Sequence, residues 1–263
     1  MTATAITVAS LELELIEDMA SFTHDPEGFA DYAYPWGKPG TELADMAGPR
    51  AWQRDTFQII GKHLQDPATR HQPLRIAVAS GHGPGKSAAI GMIIDWAMST
   101  CEDCKVVVTA TTDTQLRTKT WPEVGKWRRL SMTADWFTTT ATAVSSNDPS
   151  HSRDWRANAV PWSEHNTEAF AGLHNKGKRI VLIFDEASGI ASKVWEVAEG
   201  ALTDEGTEII WIAFGNPTLN TGRFAECFTR FRHRWNCRQI DIRNVEGTNK
   251  EQIDKWLKDW GED

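Results

Sequence analysis

No stretch of about 18 apolar residues occurs in this 263-residue chain, so no membrane-spanning helix is expected. The N-terminus also lacks the basic segment and apolar run of a secretory signal, which makes a soluble, intracellular chain the expectation. Cysteine is scarce. Four residues make no disulfide framework, Cys101 and Cys104 form a lone CxxC, and reduced thiols are expected. No repeat of fixed period is present, which excludes solenoids and propellers. Positive charge is thin at the start: residues 1–50 hold nine Asp or Glu against only Lys38 and Arg50, so most of the formal charge of −8 lies there. The remainder is nearly neutral and contains two basic runs. Residues 115–130 have five Lys or Arg to one acid, and residues 221–243 have six Arg to two. The acidic total therefore does not exclude a polyanionic partner, although either run also fits a solvated face.

What is present is ordinary globular composition, 40% hydrophobic and 24% charged, in a length that suits one large α/β domain or two small ones. Thirteen scattered Trp read as core and loop anchors. Spacing predicts a helix over 10–22 with Leu11, Leu15, Ile16 and Met19 as its apolar stripe. Residues 23–50, with Pro26, Pro35, Pro39 and Pro49, read as an irregular segment anchored by Tyr32, Tyr34 and Trp36. The expected division is thus a peripheral 1–50 and a main domain over 51–263. Helical spacing returns over 51–64. Strands are then expected at 74–79, 105–110, 180–184 and 208–214, alternating with helices at 86–99, 114–128, 192–202 and 250–260. Residues 135–171 break the rhythm as a hairpin-like insertion at the sheet edge, and 235–242 reads as an antiparallel strand. The alternation predicts a mostly parallel central sheet with helices on both faces.

Between the first strand and its helix stands Ser80-Gly81-His82-Gly83-Pro84-Gly85-Lys86-Ser87. It matches the phosphate-binding loop at Gly85, Lys86 and Ser87, with Ser80 where the pattern has its first Gly. The glycines let the backbone turn its N–H groups around phosphate oxygens, and the helix N-terminus adds partial positive charge. Lys86 then reaches the β- and γ-phosphates and Ser87 ligates magnesium. A Gly-rich turn that merely opens a helix is the plain alternative, but Lys followed by Ser at the helix start speaks against it.

A second element appears where a nucleotide hydrolase needs one. Ile180-Val181-Leu182-Ile183-Phe184 runs into Asp185-Glu186, placing two carboxylates at the C-terminal end of a buried strand. Asp185 is expected in the magnesium shell, and Glu186 is expected to polarise the attacking water. The interval from Lys86 to Asp185 is long enough for a further complete strand. That layout belongs to P-loop NTPases with an additional strand and a catalytic glutamate, the ASCE type, rather than to small-molecule kinases.

These elements occur in a specific order: Trp52-Gln53, the 80–87 loop, Val106-Val107-Val108-Thr109-Ala110-Thr111-Thr112 with Gln115-Leu116, Phe184-Asp185-Glu186-Ala187, and Phe214-Gly215-Asn216-Pro217-Thr218. The order resembles the large terminase subunit of tailed bacteriophages, covering essentially the whole chain as that family's N-terminal ATPase half. The resemblance implies ATP and Mg2+ as cofactors, and ATP hydrolysis that powers translocation of viral double-stranded DNA into the procapsid. It implies the portal protein and the small terminase subunit as partners, a homo-oligomeric ring during packaging, no membrane, and the cytoplasm of the bacterial host. It also assigns residues. Gln53 reads the adenine edge, Gly81, His82, Gly83, Pro84, Gly85, Lys86 and Ser87 hold the nucleotide, Ser87 and Asp185 hold the metal, and Glu186 is the catalytic partner. Gly215-Asn216 is the coupling motif that senses the γ-phosphate. Asn216 also stands just past a buried strand, where an amide reaches a phosphate or the attacking water, although a Gly-Asn-Pro turn accounts for it equally.

Two departures from the family follow. The loop has no Arg, and His82 is a poor substitute because it is mostly neutral at pH 7. A charge donor from a neighbouring subunit is therefore expected, with Lys176, Lys178 and Arg179 before the Asp185 strand and Arg153 and Arg156 in the insertion as candidates. Arg179 also fits a role of merely flanking and capping its strand. Second, the stretch after Phe214 holds no set of strand-borne carboxylates for two metals, so no nuclease activity is expected and the chain reads as the ATPase half of a longer protein. Two other readings are open. One is the front half of a superfamily 2 helicase, which needs a second RecA-like domain; the other is a nucleotide-gated DNA-binding scaffold without turnover, against which Glu186 argues.

Overall fold

The computed structural model describes residues 8–161 and 173–260. The chain opens with α1 (Val8–Ser21), α2 (Pro26–Ala33) and α3 (Ala51–Gln65), then alternates β1 (Leu74–Ser80), α4 (Lys86–Thr100) and β2 (Lys105–Ala110). A helical run from residue 113 takes a π-helical turn at Leu116–Thr120 and ends as α5 (Trp121–Leu130). The short strands β3 (Phe137–Thr139), β4 (Ala143–Ser146) and β5 (Arg156–Ala159) follow. Then come β6 (Arg179–Asp185), α6 (Ser192–Ala201), β7 (Glu208–Gly215), α7 (Arg223–Phe228), β8 (Asn236–Ile240) and α8 (Lys250–Trp260).

The eight strands form one sheet in the order β3-β4-β5-β2-β6-β7-β1-β8. Pairings from β5 to β8 are parallel, and only the β3–β4 and β4–β5 pairs are antiparallel. Strands buried on both sides need unbroken apolar runs, and β6 and β7 have them over residues 180–184 and 209–214. Alternate residues divide between two cores: Val181, Ile183, Ile210 and Ile212 face α3, α4 and α5, whereas Ile180, Leu182, Ile209 and Trp211 face α6 and α7. β7 lies between β1, which leads into the phosphate loop, and β6, which ends at Asp185. That inserted strand is the expected ASCE layout, and the chain is an α/β fold with helices on both faces.

Three local expectations change. The antiparallel strand expected at 235–242 is instead β8, which runs parallel to β1 from Ile76↔Asn236 to Ser80↔Ile240. α7 carries the chain back across the sheet between β7 and β8, and such a crossover delivers a parallel strand. The segment 23–50 is not wholly irregular, because Asp25 caps α2 by accepting from Gly28 N at 2.9 Å and Pro26 sits in its first turn. Phe29, Ala30, Ala33, Tyr34 and Leu43 then join the core. The α1 stripe is only partly used: Met19 is buried, but Leu11 and Ile16 are 52% and 48% exposed. The edge insertion contains the β3–β4 hairpin, while its residues 162–172, with Trp162, lie outside the described residues. Among the described residues no helix is long and apolar enough to cross a membrane.

Candidate active site

The phosphate loop joins β1 to α4, and its shape depends on glycine. Gly83 and Gly85 take φ of +85° and +93°, a region where a Cβ is strained. The loop's carbonyls are held from outside by the start of α3. Arg50 Nη1 donates to Gly83 O at 3.0 Å, Trp52 Nε1 to Pro84 O at 2.9 Å, and Gln53 Nε2 to Gly85 O at 2.9 Å. Lys86 Nζ donates to Ser80 O at 3.2 Å and to Gly81 O at 2.9 Å. The loop's carbonyls are thus engaged by side chains of α3's start and by Lys86.

Gln53, expected at the adenine edge, lies against the loop. It is 3% exposed, its Oε1 accepts from Arg50 N at 2.9 Å as the helix cap, and its Nε2 holds Gly85. Both ends of the amide are thus bonded to the helix start and the loop. Sequence reading missed Arg50 altogether; the capping position before the helical run at 51 was its one signal.

Asp185 ends β6 at 5% exposure. Its Oδ1 accepts from Glu186 N at 3.0 Å and its Oδ2 from Thr120 Oγ1 at 2.5 Å. Burial pushes the Asp185 carboxyl above its ordinary range, with the Thr120 bond working against it. Burial lowers Lys86 below the usual lysine value, while Glu186 and Asp185 hold its ammonium up. The three side chains thus act on one another electrostatically. Glu186 takes φ of +50°, a costly conformation for a residue with a Cβ. Thr111 Oγ1, just past β2, donates to Glu186 O at 2.8 Å and fixes that turn. Thr120 sits in the π-helical turn, an irregularity often found at functional sites; spacing alone gave no sign of its hydroxyl.

Asn216 follows β7, and its Nδ2 stands 3.1 Å from Nε2 of His82 in the phosphate loop. Ser87 lies in the first turn of α4, half-buried. The hydroxyl of Ser87 and the carboxylate of Asp185 are hard oxygen donors, and a buried carboxylate with a raised pKa gains from a cation beside it. The donor set therefore fits magnesium.

The candidate trans donors lie elsewhere. They flank the starts of β5 and β6, and because these strands run parallel to β1, that is the sheet edge opposite the phosphate loop. Arg179 is removed from the candidates: it is 0% exposed, pairs with Glu208 at 2.7 Å, donates to Thr23 O at 2.7 Å and stacks 4.3 Å from the Trp96 ring centre. A sealed, fully partnered guanidinium does not reach a neighbour. Lys178 stands 3.6 Å from both Glu102 and Asp103, and Arg156 Nε donates to Asn158 Oδ1 at 2.9 Å. Arg153 and Lys176 are exposed.

No family model matches the chain. A probable terminase large subunit of Enterobacteria phage P7 is 26% identical over 202 residues, which are 76% of this chain and 38% of that relative. The crystal structure of the HK97 bacteriophage large terminase superposes with a TM-score of 0.59 at 12% identity, over 89% of this chain and 47% of that one. The large terminase of a thermophilic bacteriophage, in complex with ADP, gives 0.55 at 12% identity, over 74% and 47%. The same thermophilic phage protein in complex with ATP-γ-S gives 0.50 at 12% identity, over 74% and 46%. The chain spans less than half the length of each. The sequence relative and the solved structures are all large terminase subunits of phages, and this chain shares the fold of the solved ones over the part it covers.

Proposed function

We propose that this chain hydrolyses ATP and that the turnover drives viral double-stranded DNA into a procapsid, as the motor half of a large terminase subunit. The observation that carries the reading is the convergence of Lys86, Asp185 and Glu186 at the C-terminal ends of β1 and β6 with β7 between them. Lys86 neutralises charge on the transferring phosphate, and the loop N–H groups orient it. Glu186 aligns the attacking water and accepts its proton. Ser87 and Asp185 would hold a magnesium ion, which supplies further neutralisation of the phosphate oxygens. Asn216, beside His82, meets the γ-phosphate end of the loop and signals its loss to the segment that follows β7. The thermophilic phage relative was solved with ADP and with ATP-γ-S, which supports the nucleotide class. The family's portal, small subunit, ring assembly and host cytoplasm come with the reading.

Phosphate release with and without duplex DNA tests the chemistry, with Glu186→Gln as the inactive control. Wild-type rates in that variant would overturn the role of Glu186, and no release from the unaltered chain in the presence of DNA would leave only a nucleotide-gated scaffold. Protection of DNA from nuclease inside procapsids, measured with the complete large subunit, tests translocation.

A further inference from the structure

Outside the nucleotide site, positive charge gathers between β7 and β8. Between β7 and β8 the chain reads Arg230-Phe231-Arg232-His233-Arg234. The guanidinium carbons of Arg223, Arg230 and Arg234 stand 5.0, 5.0 and 5.7 Å from the centre of the Phe231 ring, so three cations surround one half-buried aromatic. They share few acids. Glu199 of α6 pairs with Arg234, with Arg223 at 3.5 Å and with Arg75 of β1 at 3.8 Å. Glu226 pairs with Arg223 at 3.4 Å. Arg230 and Arg232 are exposed, and no described carboxylate pairs with either. Five arginines thus face two carboxylates, on a chain whose formal charge is −8.

A solvated basic face is usually built of separate, mobile side chains. Here the guanidinium groups are arranged about an aromatic platform, and their planar forks suit phosphate oxygens. The patch is also joined to the nucleotide site. α7 follows the Gly215-Asn216 motif, and Phe224 packs so closely on Gly215 that a Cβ there would stand 2.8 Å from its ring. Phe224 further shares an apolar cluster with Ala187 and Ile190, which follow Glu186. Packing thus connects both motifs to Phe224, which directly follows Arg223.

We propose that the arginine patch of residues 223–234 grips the phosphate backbone of duplex DNA. The choice of DNA as the polyanion rests on the function proposed above. Contacts of this kind position a duplex without reading its bases, which is what translocation along any sequence requires.

Fluorescence anisotropy of a labelled random-sequence duplex, titrated with the chain between about 50 and 200 mM salt, tests the grip. In the Arg230→Gln, Arg232→Gln double variant the slope of log Kd against log salt should fall by about 1.8, two phosphate contacts at about 0.9 each. The corresponding pair of Lys substitutions should keep the slope, because it keeps the charge, and both variants should melt at the wild-type temperature. An unchanged slope and Kd in the Gln variant overturns the proposal, as does a wild-type chain that binds no duplex at the low-salt end. The measurement needs no turnover, so a chain that binds DNA through these arginines but hydrolyses no ATP would sink the proposed function and leave the grip standing.

Discussion

Trp52 Nε1 donates to the carbonyl oxygen of Pro84 at 2.9 Å, so the helix that precedes the first strand is bonded to the phosphate loop itself. The ring also meets Phe214 at the end of β7, with centroids 6.4 Å apart and planes at 73°. Trp52→Phe keeps an aromatic ring and removes the donor, leaving a buried carbonyl unpaired, which costs about 1–3 kcal/mol. The expected outcome is a lower melting temperature with weakened nucleotide binding, read by a nucleotide titration. An unchanged affinity in this variant would show that the loop keeps its shape without the clasp.

Lys86 and Glu186 are expected to fail in different ways. Lys86→Ala removes the ammonium that meets the phosphates, so nucleotide no longer binds productively. Glu186→Gln keeps the phosphate contacts and loses the proton acceptor, so ATP is retained while hydrolysis drops by about 10²–10⁴. Filter retention of labelled ATP beside phosphate release separates the two effects; equal loss of binding in both variants would sink the assigned roles.

The parts of the fold legible in the sequence were those with a strong period or a strong chemical signature. β2 and α8 lie where spacing puts them, and the 80–87 loop is set by its glycines with Lys86. Less was legible where long-range packing decided the outcome. The direction of β8 depends on the α7 crossover, and no local pattern in residues 236–240 encodes it. The contact that Gln53 makes with Gly85 joins it to a loop more than 30 residues away. Arg179 reads as a surface cation beside Lys176 and Lys178, yet Glu208 and Trp96, distant in sequence, enclose it. In each case the missing information was the identity of a non-local partner.

Asp185 gives a pH-dependent stability effect of known sign. Its carboxyl is raised above the ordinary 3.8 by burial, so the folded chain prefers it protonated. That preference contributes fully below the unfolded value and is lost as pH rises through the folded one, which leaves a desolvated carboxylate near neutrality. Asp185→Asn should therefore raise the melting temperature at pH 7 without nucleotide or divalent metal, and the gain should shrink as pH falls toward the carboxyl range. Hydrolysis should be lost in the same variant. A lower melting temperature for Asp185→Asn at pH 7 would contradict this sign.

A second buried charge holds the fold together. Asp95 of α4 pairs with Arg128 of α5, both at 2% exposure or less, and Tyr34 Oη donates to Asp95 Oδ2 at 2.7 Å. Burial pulls Arg128 down to about 10. Asp95→Ala strands a buried guanidinium, and loss of one partner from such a pair costs about 3–5 kcal/mol. Urea denaturation should show that loss, with a smaller one for Tyr34→Phe.

Full turnover is expected to need a neighbouring subunit. Phosphoryl transfer gathers charge on the γ-phosphate oxygens, and an added arginine is worth about 10³–10⁵ in rate. Within the chain, Arg50 reaches the loop but commits Nη1 to the Gly83 carbonyl. With Arg179 sealed, Lys178 beside two carboxylates and Arg156 bonded to Asn158, exposed Arg153 is the arginine left among the candidates. Specific ATPase activity should then rise with protein concentration, and Arg153→Ala should flatten that rise. Mixing Glu186→Gln protein, whose Arg153 is intact, into Arg153→Ala protein should restore hydrolysis in the latter's own sites. Activity that stays flat across about a hundredfold dilution of the unaltered chain, with no rescue on mixing, would rule out the donor in trans.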